Sequence, residues 1–221
     1  MTSSLRLTFD REFEEARQNL YQLADMVGAA IDQSLKALVD RDLKLAEEII
    51  GNDEEINKLR FKIEEACLAL IATQQPAASD LREIFAIIHL VVEMERMGDY
   101  AAGIAKTTIM MKEEPLLKTF KKIPRMGEIS REMLADSIQA FKQHNADWAR
   151  EIAARDNEID DLYQSIFHKL IKIMAKEPEM ITRCTYLMWC AHNLERIADR
   201  VTNIAEQIIF MTTGDMRELQ G

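Results

Sequence analysis

The chain has 221 residues, with 38 acidic against 28 basic side chains and a formal charge of −10. At a pI near 5.0 its surface repels phosphate backbones and anionic lipid, which argues against a nucleic-acid or membrane-surface role. Seven glycines and four prolines are few beside 48% hydrophobic and 30% charged residues, a composition of long amphipathic helices joined by tight turns.

The first helix is expected from about Asp10. Leu20, Leu23, Val27, Ile31, Leu35 and Leu38 recur at three- and four-residue steps and define one buried stripe. Asp40-Arg41-Asp42 interrupts it, and Asp42 is suited to cap a second helix carrying Leu45, Ile49, Ile56, Leu59, Ile63, Cys67 and Leu70. Gln74-Gln75-Pro76 ends that helix. Asp80 with Glu83 three residues on reads as a capping-box variant opening a third helix, through Ile84, Ile88, Val91, Ala102 and Ile109. Residues 113–123, near Pro115 and Pro124, read as a linker between domains at 1–112 and 124–221. Beyond it come a helix from Ile129 to Lys142, a turn at Gln143-His144-Asn145, a helix from Trp148 to Lys176, a break at Glu177-Pro178 and a last helix from Met180 to about Met211.

The sequence itself repeats. Ser34-Leu-Lys-Ala-Leu matches Ser137-Ile-Gln-Ala-Phe, and Asp53-Glu-Glu-Ile matches Asp156-Asn-Glu-Ile, both 103 positions apart; Glu95-Arg-Met-Gly-Asp matches Glu195-Arg-Ile-Ala-Asp at 100. Such self-similarity marks an internal duplication. The fold expected is all-α: two tandem, sequence-related antiparallel three-helix bundles.

Each copy carries a carboxylate pair four residues apart, Glu95–Asp99 and Glu195–Asp199, on one helix face. Pairs of this kind also occur at Asp10–Glu14, Glu128–Glu132, Glu132–Asp136 and Asp147–Glu151, which read as solvated faces; recurrence inside a longer matched string sets the first two apart. In an antiparallel hairpin, residues equidistant from the turn lie level. That places Asp53 and Asn57 beside Glu95 and Asp99, and Asp156 and Asp160 beside Glu195 and Asp199. Oxygen-rich sets of this kind suit hard cations such as Mg²⁺, Ca²⁺, Mn²⁺ or ferric iron. His192, three residues before Glu195, adds a nitrogen on the same face. The competing reading is that Arg96 and Arg196 neutralise the acids through salt bridges between helices.

His89 lies in the apolar run Ile84–Val92, too short to span a bilayer, and reads as a core residue; His144 falls in a turn and His168 on a helix without evident partners. Cys67, Cys184 and Cys190 lack metal-ligand spacing and read as small core residues of a protein in a reducing cytoplasm. There is no secretory pattern at the N-terminus. No nucleophile–base arrangement, glycine-rich phosphate loop or zinc signature occurs. A di-iron carboxylate enzyme would want paired Glu-x-x-His motifs, whereas only the reversed His192-x-x-Glu195 is present, once. A helical-repeat protein with no ligand is the remaining alternative.

On these residues the chain resembles the PhoU family of phosphate-specific transport regulators. Glu95-Arg-Met-Gly-Asp-Tyr-Ala-Ala-Gly-Ile-Ala and Glu195-Arg-Ile-Ala-Asp-Arg-Val-Thr-Asn-Ile-Ala are similar to that family's two E/DxxxD motifs, and Asp156-Asn-Glu-Ile-Asp160 to its partner motif. The first copy departs at Asn57, where the second has Asp160, and at Gly103, where the second has Asn203. The resemblance implies multinuclear metal sites, with iron, manganese, magnesium or zinc as the cofactor. It implies a cytoplasmic, non-enzymatic negative regulator of phosphate uptake and starvation signalling. Its implied partners are the ATPase subunit of the phosphate ABC transporter and a sensor histidine kinase, and its implied assembly is a homodimer.

Overall fold

The computed structural model describes residues 2–112 and 121–215, with side chains from residue 6 onward. Among these residues the chain is helical and contains no strand. In order, the helices are α1 (Thr2–Asp40), α2 (Leu43–Gln74), α3 (Ala78–Met111), α4 (Lys122–Lys142), α5 (Ala146–Ala154), α6 (Asp156–Lys176) and α7 (Ile181–Thr213). Helices α1–α3 form one antiparallel bundle; α4, the α5–α6 pair and α7 form the second. The bundles meet along α3 and α7, the most extensive helix contact in the molecule, and along α1 and α4.

The duplication is visible in the turns. Asp42 caps α2 by accepting from the Leu45 N–H at 3.0 Å, and Asn145, 103 positions later, caps α5 by accepting from the Trp148 N–H at 3.0 Å. Each cap satisfies an amide that the first helical turn leaves orphaned. The residue before each cap turns the chain through the left-handed region: Arg41 at φ 57° and His144 at φ 49°. Ser34 and Ser137 are both fully buried, and each donates to the carbonyl three residues back at 2.8 Å.

The stripe read from α1 is buried from Leu20 to Leu38, and Cys67, Cys184 and Cys190 are buried, unpaired thiols. Burial raises all three thiol pKa values, those of Cys67 and Cys190 to about 12. One contiguous core runs from Phe9 to Met211 through both bundles. Each fully buried leucine or isoleucine in it, such as Leu20, Leu23 or Ile31, is worth about 1.5–3 kcal/mol relative to exposure.

The structure corrects several boundaries. α1 begins at Thr2 rather than near Asp10, because buried Phe9 and Phe13 extend the core stripe while Arg6 ties Asp10 and Asp80 at 3.0 Å each. No capping box opens α3: its N-cap is Ala77, with no side-chain cap. Glu83 instead lies buried, gripped by the Arg17 guanidinium of α1 at 2.6 and 2.9 Å. Of the expected linker, residues 113–120 lie outside the described residues, while 122 and 123 belong to α4, which continues through Pro124. Pro124 fits there because the first turn needs no amide donor from it. The helix expected over Trp148–Lys176 is two helices parted at Arg155, where i→i+3 bonds from the Arg155 and Glu158 amides tighten the chain. His89 is exposed, its ring centre 4.4 Å from that of Phe85 and tilted 48° to it, rather than in the core. Glu132 and Asp136 are not simply solvated: both bind Arg155, at 2.6 and 3.1 Å.

Candidate metal centre

Antiparallel pairing of α2 with α3, and of α6 with α7, brings acids of neighbouring helices to one level. In the first bundle, Asp53 and Asp99 come within hydrogen-bonding reach of each other, and Glu95 lies in the field of both. Gly98 permits the approach: a Cβ there would stand 3.1 Å from Ile56 and 3.4 Å from the Asp53 carboxylate. Burial, then the Asp99 charge, raises the pKa of Asp53 and of Glu95. Asn57 is half-buried on α2, one turn beyond Asp53.

In the second bundle Asp156 lies in the field of Asp160, Asp199 and Glu195, and its pKa is pushed up to about 7, by burial first and by Asp160 next. Burial and Asp199 likewise raise Asp160 and Glu195. Asp156 Oδ1 and Glu195 Oε2 are buried oxygens without a hydrogen-bond partner. His192 is exposed, and its Nδ1 stands 3.3 Å from Glu195 Oε2. That separation is an ion-pair distance without hydrogen-bond geometry.

The arginines do not bridge helices at these acids. Arg96 binds Glu93 on its own helix at 3.1 Å, and Arg196 binds Asp199 on its own helix at 3.0 Å. Crowded, half-buried carboxylates with raised pKa values are short of positive charge. Their donor chemistry, all oxygen with one imidazole nearby, fits a hard cation. Among the described residues no three His, Cys, Asp or Glu side chains stand close enough to hold an ion as they are, so ligation requires the carboxylates to swing together.

The Gly103/Asn203 difference lies elsewhere than at the acids. The Asn203 amide donates to Glu93 of the other repeat at 3.0 Å, beside Arg200 at 3.2 Å. A Cβ on Gly103 would stand 2.9 Å from the Asn193 amide. Both positions therefore serve the α3–α7 contact between repeats.

A PhoU domain model matches the chain twice, over residues 20–108 and 123–208, once for each bundle. The chain belongs to the PhoU family. A PhoU homologue of Streptococcus pneumoniae serotype 4, called a phosphate-specific transport system accessory protein, is 36% identical over 97% of this chain and 100% of its own length. A homologue of the same description from Aquifex aeolicus is 37% identical over 93% of each. The crystal structure of the phosphate transport system regulatory protein PhoU from Streptococcus pneumoniae superposes with a TM-score of 0.90, covering 96% of this chain and all of that one at 36% identity. PhoU from Pseudomonas aeruginosa also reaches a TM-score of 0.90, at 32% identity over 94% of this chain and 100% of its own. Among the described residues no helix is long and apolar enough to cross a membrane.

Sequence reasoning missed two functional-looking features of the PhoU fold here. One is Glu93, the polar centre of the repeat contact. The other is a cleft beside Asp53, walled by Met26, Ala30, Ile49 and Ile56. The signal for the second was present in the 103-residue offset, at positions where one copy is small and the other large.

Proposed function

We propose that this protein is a cytoplasmic negative regulator of phosphate uptake and phosphate-starvation signalling. It works as a non-enzymatic adaptor between the ATPase subunit of a phosphate ABC transporter and a sensor histidine kinase, as a homodimer. The observation that carries this reading is the match of both bundles to the PhoU domain, together with the full-length likeness to proteins named as phosphate transport accessory and regulatory proteins. Surface apolar groups on α3 and α7, among them Phe85, Ile181 and Trp189, suit a protein that works by contact.

Asp53, Glu95 and Asp99 with the Asn57 amide form one metal site in this proposal, and Asp156, Asp160, Glu195 and Asp199, with His192 alongside, form the other. A bound ion (iron, manganese, magnesium or zinc) would neutralise the acids and cross-link neighbouring helices of each bundle. The second set, with more acids and two buried oxygens that accept no hydrogen bond, takes metal more tightly. The ligand-free reading keeps one observation in its favour, the Arg196–Asp199 pair at 3.0 Å.

The regulatory reading is tested by deleting the gene and following a phosphate-starvation reporter in phosphate-rich medium. The reporter should switch on and be silenced by the wild-type gene; an unchanged reporter overturns the proposal. Pull-down with the transporter ATPase and the kinase tests the adaptor role, and capture of neither at high or low phosphate removes it. Elemental analysis of wild type beside the Glu195→Gln/Asp199→Asn variant tests the metal. Equal metal content in the two sinks the second site.

A further inference from the structure

A cavity of about 290 Å³ opens between α1 and α2 of the first bundle, over Gly98 of α3. This is the small end of the range for ligand pockets. Met26, Ala30, Ile49 and Ile56 form its apolar wall, and Gln33, Asn52, Asp53 and Glu55 its polar edge. Both charged groups on that edge are acidic. One Glu55 oxygen accepts from Lys58 at 2.9 Å.

The 103-residue offset shows what stands at the same positions in the second bundle. Ala30 corresponds to Met133, which is fully buried. Asn52 corresponds to Arg155, Ala29 to Glu132 and Gln33 to Asp136. There the Arg155 guanidinium binds Glu132 at 2.6 Å and Asp136 at 3.1 Å, clamping the helices together. At the positions that line the cleft, the second repeat thus carries larger groups: a buried, unbranched apolar chain from Met133 in place of Ala30, and a planar cation from Arg155 in place of Asn52, bound to Glu132 and Asp136. The first repeat keeps the shared walls, with Ile49 and Ile56 standing where the second has Ile152 and Ile159, all four buried. It has Ala30 and Asn52 in place of Met133 and Arg155. Asp53 and Glu55, the counterparts of Asp156 and Glu158, keep the rim negative.

We propose that this cleft is a binding site for a guanidinium group on an aliphatic stem, which supplies from outside what Met133 and Arg155 supply in the second repeat. The stem lies against Met26, Ala30 and Ile56, and the guanidinium meets Asp53, Glu55 and the Gln33 side-chain carbonyl. An apolar body with one charged, bidentate head is the chemistry shared by small alkylguanidines and by an arginine side chain of a protein partner. The inference does not depend on the regulatory reading, since it rests on the cleft and on its counterpart in the second repeat; it shares Asp53 with the first metal site, so a bound metal competes with the guanidinium there.

The test is titration of chelator-treated full-length protein with 1-butylguanidinium, following the Met26 methyl resonance by NMR and heat by calorimetry. Saturable binding that moves the Met26 methyl is expected, with the uncharged isostere 1-butylurea at least tenfold weaker. Transplanting the polar groups of the second repeat, as Ala29→Glu/Gln33→Asp/Asn52→Arg, should weaken binding at least tenfold; Ala30→Met alone, a single core-sized change, should do the same if the triple variant folds poorly. A short peptide with a central arginine separates the two sources. Tighter binding than butylguanidinium assigns the site to a protein partner, and equal or weaker binding assigns it to a free small molecule. No saturable shift at Met26, equal binding of butylurea, or undiminished binding by folded Ala30→Met overturns the proposal.

Discussion

Replacing Asp156 with asparagine should stabilise the metal-free protein, and only above acidic pH. Asp156 is half-buried among Asp160, Asp199 and Glu195, and its pKa rises from the ordinary 3.8 to about 7. The folded state therefore holds this proton more tightly than the unfolded chain does. The resulting penalty is absent below about pH 4, grows as pH rises through the interval, and is complete above about pH 7. A shift of that size corresponds to about 4 kcal/mol at most at about 1.4 kcal/mol per pH unit. Solvent screening of a group this open to water reduces it to about 2 kcal/mol. For a chain of this length, that is a gain of about 4–8 °C in Tm at pH 8 and none at pH 4. The assay is thermal unfolding of chelator-treated wild type and Asp156→Asn at both pH values. Equal stability of the two at pH 8, or a gain undiminished at pH 4, would refute the claim that carboxylate crowding costs the fold energy here.

Other outcomes follow from the packing. Glu83→Gln should cost about 2–3 kcal/mol in urea unfolding, toward the low side for a broken buried ion pair because Arg17 keeps some access to water; replacing both residues with apolar ones of like volume should recover most of it. Gly127→Ala should cost about 1–3 kcal/mol, since its Cβ would overlap the Leu35 side chain, and Leu35→Val should relieve part of that loss in a double-mutant melt. Arg200→Ala should destabilise by about 1–2 kcal/mol, because the 13%-exposed Glu93 carboxylate loses its cation from the other repeat and keeps only the more exposed Arg96 and the Asn203 amide; Glu93→Gln in the same background should recover part of the loss.

Much of the fold was legible because it is set locally. The stripe from Leu20 to Leu38, the Asp42 cap and the breaks at Gln75 and Pro178 depend on residues within a few positions of one another. The level of Asp53 with Asp99 came from hairpin arithmetic, which needs only the turn. What sequence reading missed depends on partners far along the chain. Glu83 looked like a capping acid because Arg17, 66 residues away, is invisible to a local pattern. Glu132 and Asp136 looked solvated until Arg155 closed on them. His89 sits in an apolar run, but α3 is buried over so wide an arc that its exposed strip, with Leu81 and Phe85, is itself apolar. Asn203 follows Asp199 by one helical turn and still faces the other repeat.

The contact around Glu93 bears on which surfaces the chain will accept as neighbours. By the 100-residue offset its counterpart is Asn193, while Arg200 and Asn203 correspond to Tyr100 and Gly103. Two first repeats set face to face would put each Glu93 opposite Tyr100 and Gly103, leaving it Arg96 of its own helix and no cation from the facing one. Two second repeats would oppose Asn193 to Asn203 and Arg200, with no acid. Only unlike halves give the acid the Arg200 guanidinium and the Asn203 amide of the facing helix. A duplicated sequence offers each half two kinds of neighbour, like and unlike, and this asymmetric polar patch, with Arg131–Asp32 at 3.4 Å as another contact between repeats, favours the unlike pairing whether the halves come from one molecule or two.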